Sequence, residues 1–245
     1  MAAPGWRGKS IVVIIIIMES DDTPVGRVLG RREIVALLGL SGAALLTGRA
    51  FAQSAGAVPR CVVRPQQTEG PFFVDEKLER ADLRSDPASG EVRPGAPLQV
   101  AFHVSSLSAG ACAPLAGARV DVWHCDALGA YSDGSRQRFL RGYQATDAGG
   151  LARFTTIYPG GYQGRAVHIH FKIRTAQRQE FTSQLYFDDT LTDRVHALPP
   201  YGGAGQRRMR NGDDGLFRRG GGQLLLAVAP AGQGYAGTFD IALSP

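Results

Sequence analysis

Ala166-Val-His-Ile-His-Phe-Lys-Ile-Arg174 alternates apolar and polar residues step by step. In an extended chain Val167, Ile169, Phe171 and Ile173 fall on one face and His168 and His170 on the other. The apolar face reads as the core side of a strand. The Cα atoms of the two histidines would lie roughly 6.6 Å apart, near enough for both imidazoles to reach one metal ion. Two polar residues on a half-exposed strand face give the same pattern, so the surrounding sequence has to decide.

Outward from this stretch the alternation recurs. Leu98–Val104, Ala118–Cys125, Leu151–Ile157, Phe181–Phe187, Gln223–Val228 and Tyr235–Leu243 all read as short strands. Asp147-Ala-Gly-Gly150, Pro159-Gly-Gly161 and Pro230-Ala-Gly232 supply turn chemistry between several of them. No 3.6-residue periodicity is sustained after residue 52. The pattern predicts an all-β fold: a single antiparallel β-sandwich over residues 97–245, preceded by an extended lead-in over 53–96. Gly202–Gly222 reads as a long polar loop, of the kind that is mobile or functional.

Residues 1–52 differ in kind. Arg31-Arg32 precede a modest apolar run, Ile34–Leu46, and Ala50-Phe-Ala52 fits a signal-peptidase site. This predicts a twin-arginine signal peptide cleaved after Ala52, periplasmic or secreted localisation, and no stable membrane insertion after cleavage. Ile11–Ile17 is an unbroken β-branched run too short to span a bilayer, and Met18 is the expected true start. Residues 1–52 carry six Lys/Arg and four Asp/Glu of the 27 and 22 in the chain, leaving a net charge of +3. The basic cluster at Arg207, Arg208 and Arg210 is followed by Asp213 and Asp214, so no nucleic-acid partner is expected. Of three cysteines, Cys125 reads as a buried thiol, and Cys61 and Cys112 as an oxidised pair in an exported protein. The absence of any Cys-x-x-Cys argues against a zinc ribbon.

The residues near the two histidines narrow the metal. Phe171-Lys-Ile-Arg-Thr-Ala176 offers no acid to complete a two-histidine, one-carboxylate triad. Two tyrosines stand close instead: Tyr162 in the Gly-rich turn six residues before His168, and Tyr131 shortly after the Val-Asp-Val-Trp-His strand. A phenolate is a hard anionic donor, and a trivalent cation drives its deprotonation below the usual pKa of about 10. Two phenolates with two imidazoles favour Fe(III) over Zn(II) or Cu(I). His124 faces with Val120 and Val122 and reads as a core histidine; His103 and His196 have no evident partner in the sequence.

Several separated motifs resemble the intradiol ring-cleavage dioxygenases, which include catechol 1,2- and protocatechuate 3,4-dioxygenases. They are Thr68-Glu-Gly-Pro-Phe72, Val122-Trp-His-Cys-Asp126 with Gly129-Ala-Tyr-Ser132, Leu140-Arg-Gly-Tyr-Gln144, Ile157-Tyr-Pro-Gly160 and Gly164-Arg-Ala-Val-His-Ile-His170. The resemblance implies Tyr131, Tyr162, His168 and His170 as ligands of a non-haem Fe(III), with Tyr162 also catalytic. It implies Arg165 and Gln184 beside the substrate, a catechol-type diol, with O₂ as the second substrate. Phe72 and Phe73 would line the mouth, where the family often has tyrosine. The helical amino-terminal domain of the catechol 1,2 branch has no counterpart ahead of the sandwich, which leaves a homo-oligomer possible but not by that helical route. Two other readings compete: a non-catalytic β-sandwich binding module, and a zinc or other-metal hydrolase using His124, His168 and His170.

Overall fold

Alternation of side-chain type becomes alternation of burial. In β1 (Pro97–Ser108) Leu98, Val100, Phe102 and Val104 are buried at every second position. A computed structural model describes residues 61–132, 136–162, 164–202 and 209–244. The signal read over residues 1–52, its cleavage point, and Arg207 and Arg208 lie outside the described residues.

Two sheets form the body. One runs β2 (Ala111–Pro114), β1, β9 (Gly234–Leu243), β8 (Val228–Ala231). In it β5 (Leu151–Ile157) pairs with Pro97–His103 of β1, and β2 with Ser105–Ser108. The other runs β4 (Arg141–Ala145), β3 (Arg119–Trp123), β6 (His168–Arg174), β7 (Glu180–Tyr186). Every strand pairing is antiparallel except β1 with β9, which run parallel. Their inner faces meet through aromatic rings: Phe171 of β6 lies 5.1 Å from Phe102 and 5.7 Å from Phe239. Large rings placed this way remove much apolar surface from water and fix the sheet-to-sheet spacing.

The outer face of the second sheet carries His168, His170 and Lys172, with Asp121 and Trp123 on β3 and Gln184 and Tyr186 on β7; all seven are buried. An outer sheet face is ordinarily wet. Here residues 67–75 cross it. The Gln67 amide donates to the Thr182 carbonyl (3.0 Å), and Gln184 Nε2 to the Thr68 carbonyl (3.0 Å). Phe73 packs on Trp123 at 4.8 Å, with Lys172 Nζ 4.4 Å above its ring. Asp75 receives Arg119 (2.6 Å) and Arg174 (2.9 Å), which holds its carboxyl near 2. Upstream, Cys61 is bonded to Cys112 of β2, with Cα atoms 5.8 Å apart. Cys125 is buried.

Three details differ from the sequence reading. Asp189–His196 is a helix, α1, capped by Asp188, whose side chain accepts from the Leu191 amide. It has eight residues and buries only Leu191, Thr192 and Val195, too short a stretch for a helical period to register. Gln223–Val228 does not form the expected strand: Gly221–Leu224 is a 3₁₀ turn, and β8 falls on Val228–Ala231. Pro230 therefore lies within β8, whose register ends at Ala231 and Gly234. Third, the polar loop is ordered where it is described, with a 3₁₀ turn at Asn211–Asp213 and a short helix, α2, at Gly215–Arg218.

Candidate metal centre

His168 and His170 share the outer face of β6, as the two-residue period requires. Their Nε2 atoms stand 3.0 Å apart. His168 Nδ1 lies 2.6 Å from the Ala166 carbonyl, which makes Nδ1 the protonated nitrogen and turns the Nε2 lone pair inward. His170 Nδ1 is buried with no hydrogen-bond partner among the described residues. Its ring is held by packing: Trp123, its register partner on β3, stacks on it at 5.0 Å, and Gly70 lies over its edge. A Cβ at Gly70 would sit 3.2 Å from His170 Cε1, and the glycine itself has φ +72°.

Tyr131 reaches the same point from the turn after β3. Its hydroxyl is 3.4 Å from His168 Nε2. Asp126 builds that turn, accepting from the Leu128 and Ala130 amides. Tyr162 stands in the turn before β6, its ring 5.5 Å from Tyr131 and nearly perpendicular to it. Phe72 lies flat on Tyr131 at 4.1 Å and meets Tyr162 edge-on at 5.3 Å. Both tyrosines are half-buried. Trp123, Phe73 and Gly70 are thus packing partners of the site. The Gly70 role had no distinguishing signal in the sequence beyond the Glu-Gly-Pro turn.

Electrostatics keep the donors ready. Burial holds His168 at about 4, with Arg165 adding to the effect; His170 lies well below its ordinary value, from burial and then from His168. Both imidazoles are neutral near pH 7 and carry lone pairs. Burial pushes the Tyr131 phenol well above its ordinary value, outweighing the opposing charges of Arg165 and Arg141. A metal cation reverses that balance. Among the described residues no third His, Cys, Asp or Glu joins the histidine pair, so the oxygen donors at hand are phenolic. Two nitrogens 3.0 Å apart have the separation of adjacent ligands each about 2.1 Å from one ion. The donor set therefore fits a hard, highly charged ion such as Fe(III).

Arg165 and Gln184 meet beside this centre. Gln184 pairs with His170 in the β6–β7 register and is fully buried. Its Oε1 accepts from Arg165 Nη2 (2.6 Å) and lies 3.1 Å from the Tyr186 hydroxyl. Arg165 Nε donates to Asp214 Oδ2 at 2.9 Å. Sequence reading took Asp214 only as a charge partner of the nearby arginines; its one local signal is a helix cap, since Oδ1 accepts from the Leu216 amide (2.7 Å).

The remaining histidines stand apart. His124 is buried with both nitrogens engaged: Nδ1 2.7 Å from the Cys125 carbonyl and Nε2 2.7 Å from Thr156 Oγ1. His124 therefore turns no free nitrogen toward His168 and His170, and the hydrolase reading lacks its third histidine. His103 contacts the Gly149 carbonyl and Asp240, and His196 the Pro159 carbonyl.

The family model Dioxygenase_C, described as dioxygenase, matches residues 68–197, more than half of the chain. A solved structure described as an intradiol ring-cleavage dioxygenase from Tetranychus urticae is 30% identical, with a TM-score of 0.69, over 76% of this chain and 96% of that one. The dioxygenase domain of a dioxygenase–carbohydrate-binding fusion from Streptomyces sp. SirexAA-E is 36% identical, with a TM-score of 0.58, over 75% and 99%. Catechol 1,2-dioxygenase 1 of Acinetobacter lwoffii is 28% identical over 172 residues, 56% of this chain. The match spans about half (52%) of that relative's length. With the two-sheet architecture, these matches establish that the chain belongs to the intradiol ring-cleavage dioxygenase family.

Proposed function

We propose that this protein cleaves a catechol-type diol between its two hydroxylated carbons, using O₂ and a non-haem Fe(III) to give a muconate-type diacid. Tyr131, Tyr162, His168 and His170 would hold the ion. The observation that carries this reading is the convergence of two imidazole lone pairs and the Tyr131 hydroxyl on one point, with Arg165 and Gln184 alongside. Bound there, Fe(III) supplies the Lewis acidity that lowers phenol pKa values and makes a chelated diol reactive toward O₂.

The side chains supply the rest. Tyr162, half-buried in the turn before β6, would help hold the ion and would be the phenolate that takes one of the diol's protons. Tyr131, pinned under Phe72, stays in place. Arg165 offers N–H donors to negative charge developing on the substrate, and the Gln184 amide, in contact with it, shares that role. Phe72 and Trp123 wall the centre with apolar surface, which strengthens each of these interactions by excluding water.

Three further expectations belong to the same reading. The twin-arginine pattern over residues 1–52 supports export to the periplasm or outside the cell, and the Cys61–Cys112 bond fits an oxidising compartment. Amino-terminal sequencing of the exported protein should begin after Ala52. A catechol-type diol and O₂ are the partners that turnover requires.

The test is oxygen uptake by iron-loaded protein over a panel of catechols, with product identification. Ring-opened diacids are expected, along with a red colour from phenolate-to-iron charge transfer. His168→Ala should lose both iron and activity, and Tyr162→Phe should shift the visible band. A colourless protein with stoichiometric iron, or variants that match the parent, would refute the proposal and favour a binding module.

A further inference from the structure

The Arg165 side chain reaches the centre from a turn, yet its guanidinium is fixed from two directions. On one side lie Gln184 Oε1 (2.6 Å) and the Tyr186 hydroxyl (3.2 Å). On the other lies Asp214, 49 positions away in sequence and 1% exposed. The Asp214 carboxylate is fully used. Oδ2 accepts from Arg165 Nε (2.9 Å) and from the Ala166 amide (2.9 Å), and Oδ1 from the Leu216 (2.7 Å) and Phe217 (3.4 Å) amides. Ala166 in turn offers its carbonyl to His168 Nδ1 at 2.6 Å. One buried carboxylate therefore grips the arginine beside the site and the amide of the residue whose carbonyl meets the first histidine.

The segment that delivers Asp214 is itself braced. Phe217 meets the Tyr186 ring edge-on at 5.1 Å, and Gln67 Nε2 donates to the Leu216 carbonyl at 2.9 Å. Gln67 Oε1 accepts from the Tyr186 hydroxyl at 2.8 Å. A guanidinium on a turn has several rotamers, and fixing one has an entropic cost. The charge-assisted bonds of the guanidinium to Asp214 Oδ2 and Gln184 Oε1 offset that cost in the folded protein, before any substrate arrives.

We propose that Asp214 is a positioning residue, which locks the Arg165 guanidinium toward Gln184. The inference rests on the activity proposed above, and the test separates the two. Turnover of a catechol is measured for the parent, Asp214→Asn, Arg165→Gln and the double variant, each with its thermal midpoint and iron content. The Asn side chain keeps the volume, but its amide nitrogen cannot accept, so it cannot serve the donors on both oxygens. Asp214→Asn is expected to lower kcat by about tenfold to a hundredfold with a smaller change in KM, because a misdirected guanidinium costs transition-state stabilisation. In the Arg165→Gln background the same change should move kcat by less than about threefold, since the residue it acts through is gone. Equal fold-losses in both backgrounds, or an unchanged kcat in Asp214→Asn, would overturn the proposal.

If Asp214→Asn fails to accumulate as folded protein, Asp214→Glu carries the test. It keeps the charge, displaces it by one methylene, and should lower kcat while the thermal midpoint is retained; an unaltered kcat overturns the proposal. If the parent cleaves no catechol, the activity reading fails alone. Asp214 is then judged by a crystal structure of its Asn variant, where Arg165 should have left Gln184 Oε1. An arginine still in place would refute the positioning role.

Discussion

His170 lies between Trp123 on β3 and Gln184 on β7, and Gly70 closes over its edge, so its ring is enclosed on three sides. His168 is held differently, by one short bond to the Ala166 carbonyl. The sequence placed the two histidines on one face by counting alone. It could not rank Gln184 between pocket and solvent, because alternation assigns a face and not what covers it. Asp214 was beyond reach for a further reason: an ion pair between residues 165 and 214 leaves no periodic mark in either segment. Burial of neutral histidines also has a consequence for pH. His124 and His168 both titrate at about 4 in the folded, metal-free protein, mainly because burial disfavours the charged ring, against an ordinary 6.5. Below 6.5 the unfolded chain takes up protons that the folded one refuses. The thermal midpoint of metal-free protein should therefore fall as pH drops from about 6.5 to about 4, and these groups should contribute no further slope below that. A flat melting profile over that interval would contradict neutral buried rings.

Among the elements, the strands were the most legible, because β1, β5, β6, β7 and β9 each hold a clean two-residue period over seven or more residues. Short elements escaped. β2 and β8 have four residues each, and α1 eight, too few to display a period above chance. The stretch over residues 67–75 escaped for the opposite reason. It has no period, since it is neither strand nor helix, and its meaning lies in what it covers. Gly70 shows how tightly that cover fits. At φ +72° an alanine is strained by about 1–2 kcal/mol, and its Cβ would press on His170 Cε1 at 3.2 Å. Gly70→Ala is thus expected to lower the thermal midpoint by a few degrees and, more tellingly, to reduce iron occupancy under limiting iron. Calorimetry and metal analysis on the same preparation would separate the two effects. Full iron retention would mean that the cover yields more easily than its contacts suggest.

Across the whole molecule, the two ends of the described chain are brought together. β1 and β9 pair in parallel, and Arg64 Nε donates to the Asp240 carbonyl across 176 positions. The Cys61–Cys112 bond closes a loop of 51 residues and anchors the start of the covering segment. By loop-closure entropy such a link is worth about 4 kcal/mol. Replacing both cysteines by serine should lower stability by roughly that amount in a denaturant titration, while leaving the strand pairings intact. A loss well under 1 kcal/mol would show that the non-covalent contacts of residues 62–75 already suffice.

The covering segment has a further meaning when the chain is followed in the order of its synthesis. Residues 67 and 68 emerge first, but their landing sites on β7 lie 119 and 116 positions later. Until β7 has formed there is nothing for them to lie on, and contacts of such separation form late. During that interval the histidine face of β6 is bare. This order predicts a brief open phase in folding, before Phe72, Phe73 and Gly70 close over the site. Iron supplied during refolding should give the visible band faster than iron added to finished metal-free protein, by stopped-flow absorbance at equal concentrations. Equal rates would show that the finished fold breathes enough to admit the ion, and that the timing of closure does not govern when the site is filled.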